Sequence, residues 1–358
     1  MQPDLVEVLA CPACRGDLKV DSVDERRGRH IYRGRLTCTT CSENYPIERS
    51  VPRLVIADED VKSVGRRYGH QWLNWSRGRF EDKSRSYGYD NRIFCEWQRD
   101  RLAEVGPIEA GQWMLDAGCG AGHLTEHFAD MLPQARIVGM DLGLEALEYA
   151  TEKYTTHQNV DYVQGNVLQP PFKQGVFRWG LSKGMLHHTP STRRALATFR
   201  STLQQDASMF IWIYPTHEEG PEWSLLYHVR DYLFMGQGPR LPATLVRWLS
   251  YVLVALLFPL AEYTLRKGGE RVNKSFPWFD PKKMSLAQRY NAQVFYLNDT
   301  LLPRYLFKHS IAEMNGWFRE EGLEPIFEKH GFYSARVVEP PKADGATSAA
   351  RRDVPAGV

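Results

Sequence analysis

The sequence predicts an α/β fold built on a parallel sheet, preceded by a small cysteine-bracketed unit and interrupted by a helical insertion. Three observations carry that reading. From Trp113 onward short apolar runs alternate with amphipathic segments, the pattern of βαβ units whose strands lie side by side. A glycine-rich turn holding Gly118, Gly120 and Gly122 separates the first of these strands from the helix behind it. Ahead of them, four of the six cysteines form two C-x-x-C pairs, Cys11 with Cys14 and Cys38 with Cys41.

At 358 residues the chain exceeds one ordinary compact domain, so one large domain with an appendage is expected. Hydrophobic content of 43% and charged content of 25% belong to a globular protein with a substantial core. A formal net charge of +2 argues neither for nor against nucleic acid, because placement of charge matters more than its sum. The opening MQPDLVEVLACPAC has no basic n-region and no cleavage site, so a cytoplasmic location is expected, and paired cysteines there suggest metal rather than disulfides.

In chain order, residues 1–56 form the cysteine unit, and residues 57–108 a polar, aromatic connecting segment with a helix towards its end. WMLDA is the first strand of the sheet, AGHLTEHFADML the helix after the glycine turn, RIVGM the second strand and LEALEYATEKY the next helix, its apolar residues at helical spacing. DYVQG, VFRWGLS and SMFIWIYP are further strands, with helix STRRALATFRSTL before the last of them. Regular alternation stops for residues 215–309, too long for a loop, and resumes with helix SIAEMNGWFREEG and closing strands EPIFE and FYSARVVE. Residues 340–358 are small, polar and rich in Pro and Gly, and are expected to be disordered.

The spacing C-x2-C, 23 residues, C-x2-C is that of a four-thiolate zinc ribbon, in which each knuckle turns both sulfurs towards one tetrahedral ion at about 2.3 Å. Four thiolates leave no open coordination position, so Cys11, Cys14, Cys38 and Cys41 point to a structural ion; a redox pair explains them less economically. The stretch LVEVLACPAC…LTCTTCSENYPIERSVPRLV resembles the small zinc-ribbon family whose eukaryotic members activate tRNA, rRNA and release-factor methyltransferases. The insert between the knuckles carries Arg26, Arg27, Arg29, Arg33 and Arg35, readable as a solvated hairpin or as a phosphate-contacting arm.

In LDAGCGAGH the glycines permit close backbone approach to a ligand at the carboxyl edge of the sheet, which serves a dinucleotide equally well. Asp116, just before them, would repel a pyrophosphate and suits a cationic ligand; Asp141 ends the second strand, placed to accept ribose hydroxyls; Asn166 follows the third strand. Together these residues resemble class I S-adenosylmethionine-dependent methyltransferases, over about residues 110–215 and 310–338. The resemblance implies a Rossmann-like seven-stranded methyltransferase sheet over residues 109–214 and 310–339. It implies a donor held at Asp116, Gly118, Gly120, Gly122, Asp141, Asn166, Val167 and Ser182, with Tyr68, Gly69 and Trp72 of the connecting segment as candidates to pack over it. Asn166 stands where the family more often has Asp, and can still hydrogen-bond adenine.

The fourth strand runs into LSKGMLHHTP, which on this reading borders the reaction centre. Adjacent histidines diverge, and no acidic residue lies near them in sequence, so a metal site is set aside. The segment resembles the L-H-H stretch of ubiquinone- and menaquinone-type methyltransferases and of tRNA methyltransferases that esterify a wobble-uridine carboxylate. His188, and less so His187, is a candidate general base, against a substrate-positioning role; a carboxylate acceptor would need no base. Ser182-Lys183-Gly184-Met185 fills the place where amide N-methyltransferases carry Asn/Asp-Pro-Pro-Tyr, which leaves O- or C-methylation.

The 215–309 insertion is expected to cap the substrate side, helically, and His217 at its start is a second candidate base on location alone. Its run WLSYVLVALLFPLA, uncharged between Arg247 and Glu262, is shorter than the roughly 20 residues of a membrane span. Length favours a buried cap helix over a lid on an apolar substrate or peripheral contact with a membrane surface, although Arg240, Arg247, Arg266, Lys267 and Arg271 flank it. The expectation is a zinc-containing methyltransferase for a small-molecule, lipid-linked or sugar-linked acceptor. The alternatives are a tRNA-esterifying enzyme, disfavoured by the apolar cap, and a non-catalytic donor-binding module.

Overall fold

The computed structural model describes residues 1–56, 61–69, 85–86, 89–153, 157–216, 244–259 and 285–339. The expected tail 340–358, much of the connecting segment and residues 217–243 and 260–284 of the cap lie outside these.

Four antiparallel strands build the cysteine unit: β1 (Leu18–Arg27), β2 (His30–Cys38), β3 (Asn44–Glu48) and β4 (Val51–Leu54). Helix α1 (61–69) and two-residue strands β5 (Arg85–Ser86) and β6 (Tyr89–Asp90) lead to α2 (Asn91–Ala103). The α/β part follows as β7 (Trp113–Ala117), α3 (His123–Met131), β8 (Arg136–Asp141), α4 (Leu144–Lys153), β9 (Val160–Gly165), β10 (Phe177–Lys183), α5 (Thr192–Ser201) and β11 (Leu203–Trp212). Two cap helices, α6 (244–259) and α7 (Leu286–Leu301), precede α8 (Ile311–Glu320), β12 (Leu323–Lys329) and β13 (Phe332–Val337). Ser191 and Ser310 begin α5 and α8 with their hydroxyls, which accept the backbone N–H of Arg194 and Glu313 at 3.2 Å each.

The seven expected strands are present in the order β9-β8-β7-β10-β11-β13-β12, with β13 antiparallel to β11 and β12 antiparallel to β13. The sheet does not stop at seven. Strand β4 pairs parallel with β9, Arg53 opposite Gln164 and Leu54 opposite Gly165, so the cysteine unit continues the sheet to eleven strands. An open β9 edge would expose unpaired backbone groups, and β4 covers it. A second seam joins Ala10 N–H to the Pro171 carbonyl at 3.0 Å and Lys173 N–H to that of Val8 at 2.9 Å. Arg15 donates to the Pro170 and Phe172 carbonyls, and Arg136 pairs with Asp4 at 2.6 Å.

Helices cover both faces of the sheet. On one, Phe94, Phe128, Leu147, Trp179 and Phe210 pack beneath α2, α3 and α4. Trp97 of α2 stands edge-on to Phe210 and Phe332, with ring centres 5.4 and 5.3 Å apart. On the other, Leu196, Phe199 and Phe318 under α5 and α8 run without a break into Leu5, Leu9, Leu36 and Leu54 of the cysteine unit. The two units therefore share one core.

Helix α6 corrects the expectation of a buried cap helix. Only Val246, Ser250 and Val254 are buried along it, while Trp248 and Leu256 are 68% and 73% exposed. One narrow edge of the helix rests on α7, and nothing in its length required more.

Candidate functional site

Strand order reverses at β7, whose neighbours are β8 and β10, and the crevice outside the carboxyl ends of those strands is where such sheets take ligands. A cavity opens there, and Asp116, Gly118, Asp141, Asn166, Val167, Lys183, Met185, His188, Trp212 and Tyr214 are among its lining residues.

The turn after β7 is pinned by Gly118 N–H and Cys119 N–H, which donate to the Met140 carbonyl at 2.7 and 3.1 Å. Gly118 has φ +83°, and a Cβ there would lie 2.5 Å from that of Met185, so only glycine fits. Asp141 organises both turns around it, accepting Gly120 N–H at 2.9 Å and Gly143 N–H at 2.7 Å. Burial raises its carboxyl pKa while these N–H groups oppose the rise. Gly122 sits at the N-cap of α3, behind the cavity wall.

Asp116 is almost fully buried, and burial pushes its pKa up to about 7. The Thr125 hydroxyl, 2.7 Å away, and the Lys183 cation pull it down, while the charge of Asp141 pushes it up. Lys183 is itself lowered to about 8 by burial, against the fields of Cys95 and Asp116, and its ammonium stands 4.5 Å from the centre of the Phe94 ring. Asn166 turns back on its own loop, its side-chain oxygen accepting Leu168 N–H at 3.0 Å. Ser182 is buried outside the cavity wall, its hydroxyl without a hydrogen-bond partner among the described residues.

The two histidines diverge. They share a short 3-10 turn, Leu186–His188, with ring centres 4.2 Å apart. His188 faces the cavity; its Nδ1 lies 2.9 Å from the Tyr305 carbonyl, which can only accept, so Nδ1 carries the proton and Nε2 is the basic nitrogen. His187 is fully buried between His188 and Tyr214, and neither ring nitrogen has a hydrogen-bond partner among the described residues. Burial first, then the neighbouring His188 and His309, hold it neutral. His309 also stays out of the cavity, bridging Glu313 and Thr192 at 2.9 Å each.

Sequence reasoning assigns several cavity residues no place there, whereas Tyr68 is a candidate to cover the site. Lys183, Met185, Trp212 and Tyr214 arrive through strand register, because β10 and β11 end side by side. Tyr68 of α1 reaches in beside them, with its ring centre 5.5 Å from that of His188. The approach of α1 needs Gly69, where a Cβ would fall 3.0 Å from the Gly143 Cα. Trp72 and His217, also plausible from the sequence, lie outside the described residues.

In the cysteine unit all four thiol sulfurs lie within 4.8 Å of one another, Cys11 to Cys41 at 3.7 Å and Cys14 to Cys38 at 3.5 Å. Sulfurs about 2.3 Å from a tetrahedral ion would stand about 3.8 Å apart, so the set fits a four-thiolate zinc site. Thr40 N–H and Cys41 N–H point to Cys38 Sγ at 3.4 and 3.5 Å, and the Tyr45 hydroxyl lies 3.2 Å from Cys11 Sγ. The arginine-rich insert is the exposed β1–β2 hairpin. Arg27 is occupied by Glu25 and the Tyr32 ring, and Arg35 stands 3.9 Å from Asp21, so part of its charge is neutralised locally.

Comparison with known proteins agrees with this division. Residues 114–206 match a methyltransferase domain and residues 2–50 a Trm112p-like protein. The chain is 35% identical over 89 residues to trans-aconitate 2-methyltransferase of Afipia carboxidovorans, covering 23% of this chain and 33% of that protein. It is 41% identical over 76 residues to malonyl-[acyl-carrier protein] O-methyltransferase of Halalkalibacterium halodurans, covering 21% and 26%. The aligned region thus spans about a third of these relatives or less. Among solved structures, the complex between the Haloferax volcanii Trm112 methyltransferase activator and a putative methyltransferase aligns with a TM-score of 0.37 at 13% identity, over 76% of this chain and 80% of that one.

Proposed function

We propose that this chain, which joins a methyltransferase domain to a Trm112p-like unit, is an S-adenosylmethionine-dependent O- or C-methyltransferase for a small-molecule, lipid-linked or sugar-linked acceptor. The observation that carries the reading is a cavity at the reversal of the sheet whose lining holds two carboxylates and an oriented histidine. A relative named an O-methyltransferase supports the O- branch.

Bound there, the donor supplies an electrophilic methyl group on a sulfonium. Asp141 and Asn166 offer acceptors to its ribose and adenine, and Asp116 a charge to its ammonium. The glycine turn lets backbone approach without a side chain between. Trp212, Tyr214 and Tyr68 wall the acceptor side with rings that exclude water. His188, held by the Tyr305 carbonyl, presents Nε2 to take a proton from a hydroxyl or a carbon acid. His187 packs behind it as a neutral support. Four thiolates holding zinc keep the cysteine unit folded against β9.

Incubation with methyl-labelled S-adenosylmethionine and fractionated cell extract tests the reading. Label is expected in a lipid or small-molecule fraction. His188→Ala should cut turnover about 100-fold while leaving donor affinity within twofold. Label appearing only in RNA would move the assignment to the tRNA-esterifying alternative.

The Asp116 pKa makes a further expectation. Burial raises it from the ordinary carboxylate range to about 7, so the folded chain holds the extra proton below that pH and the charged form is disfavoured there. An ammonium ligand needs the carboxylate, so donor affinity should rise with pH through 6–8, by up to about tenfold per unit below the pKa. Titrations at pH 6, 7 and 8 should show that slope, and Asp116→Asn should flatten it.

A further inference from the structure

Helix α6 carries its apolar face outward. Trp248, Leu249, Val252, Leu253, Leu256 and Leu257 are all exposed, at successive spacings of one and three residues that align them along one side of the helix. The opposite side is fixed. Val254 packs on Val294 and Leu297 of α7, Phe258 stands edge-on to Tyr290 at 5.2 Å, and the Tyr290 hydroxyl donates to the Tyr251 carbonyl at 3.1 Å. The helix is thus held by one edge while its broader, wholly aliphatic and aromatic side meets solvent. An exposed continuous apolar stripe of this kind marks an interaction surface.

Charge and shape decide what it meets. Residues 240–274 hold six basic side chains, Arg240, Arg247, Arg266, Lys267, Arg271 and Lys274, against two acidic ones, Glu262 and Glu270. That excess exceeds the +2 of the whole chain, so positive charge flanks the apolar run in the sequence, with Arg247 on the helix itself. Arg247 directly precedes Trp248 at one end of it, the pairing of a cation with an amphipathic ring that suits a headgroup region. From Trp248 to Pro259 the helix has no charged residue, hence no point at which a protein partner's charge would be matched along the stripe. Sixteen helical residues reach about 24 Å, less than the roughly 30 Å of a hydrocarbon core. Among the described residues no helix is long and apolar enough to cross a membrane.

We propose that the exposed face of α6 seats this protein on an anionic lipid bilayer, with the helix lying in the plane of the interface and its aliphatic side chains below the headgroups. The inference stands apart from the choice of acceptor and from methyl transfer itself.

Flotation of the full chain with phosphatidylcholine vesicles, with and without a quarter phosphatidylglycerol, tests it. The protein should float with the anionic vesicles, less with the neutral ones, and less at 500 mM than at 50 mM salt. Leu249→Glu combined with Leu256→Glu, both at exposed positions, should lower the partition coefficient about 100-fold or more with an unchanged melting midpoint. Arg247→Ala should weaken anionic binding about fivefold. Failure of the unaltered protein to float, or equal flotation of the double variant, overturns the proposal. A concentration-dependent dimer that the double variant dissolves, without vesicle binding, overturns it in favour of a second copy of the chain.

Discussion

Asp141→Ala is expected to weaken S-adenosylmethionine binding by at least about 100-fold, without unfolding the chain. The carboxylate ends β8 and is gripped from two sides, by Gly120 N–H and Gly143 N–H, which fix its direction before any ligand arrives. Each oxygen keeps a further lone pair for a ribose hydroxyl, and hydrogen bonds to a charged group contribute about 1.5–3 kcal/mol each. Removing the side chain deletes both ligand bonds and frees the two backbone donors, so the glycine turn loses its shape together with its partner. Two such bonds correspond to a factor of about 100 to 10,000. Asp141→Asn should fall between, because one amide oxygen survives while the NH2 group faces a backbone N–H. Calorimetric titration reads the affinities, and a melting midpoint within a few degrees of the unaltered protein shows that the loss is local.

Cys38→Ser should cause the largest loss of stability. Cys38 is buried, closes β2, and its sulfur gathers the N–H groups of Thr40 and Cys41 beside three further thiols. With zinc in place, the coordination energy is folding energy for the unit that contributes it. The consequence reaches beyond the ribbon, because β4 pairs with β9 and Leu5, Leu9, Leu36 and Leu54 lie in the same core as Phe199 and Phe318. Loss of the ligand should therefore remove one equivalent of zinc and lower the melting midpoint by about 4–7 °C, the shift of roughly 3–5 kcal/mol in a chain of this size. Cys95→Ser, at a cysteine outside the cluster, should leave the zinc content unchanged. Elemental analysis with a thermal melt distinguishes these outcomes, and unchanged zinc in Cys38→Ser would remove the metal from the account.

Much of this architecture was legible because local chemistry repeats it. Cysteine spacing states a coordination number, and the alternation from Trp113 states a parallel sheet, so both units could be drawn before their packing was known. Asp116, Asp141 and Asn166 could be placed because each sits at a strand end whose position the alternation implies. The β4–β9 seam could not. Val51–Leu54 is four residues long and contains a proline, and nothing in it names the strand it will join. Lys183, Trp212 and Tyr214 were illegible for a related reason: they converge through the register of β10 on β11, a relation between segments. Tyr68 was a candidate cover for the donor site, but the route that brings it there depends on the close passage of Gly69 against Gly143. His187 and His188, adjacent and chemically alike, were separated only by the Tyr305 carbonyl and the Tyr214 ring. The outward face of α6 escaped for the opposite reason, since an apolar stripe has the same sequence whether it meets a core or a solvent boundary.

On this reading the cavity between β7, β8 and β10 holds S-adenosylmethionine. Titration of S-adenosylhomocysteine into the full chain is the decisive measurement. One site per chain with micromolar or tighter affinity is expected, abolished by Asp141→Ala. The absence of binding by the unaltered, zinc-loaded protein, or binding that Asp141→Ala leaves intact, would contradict it.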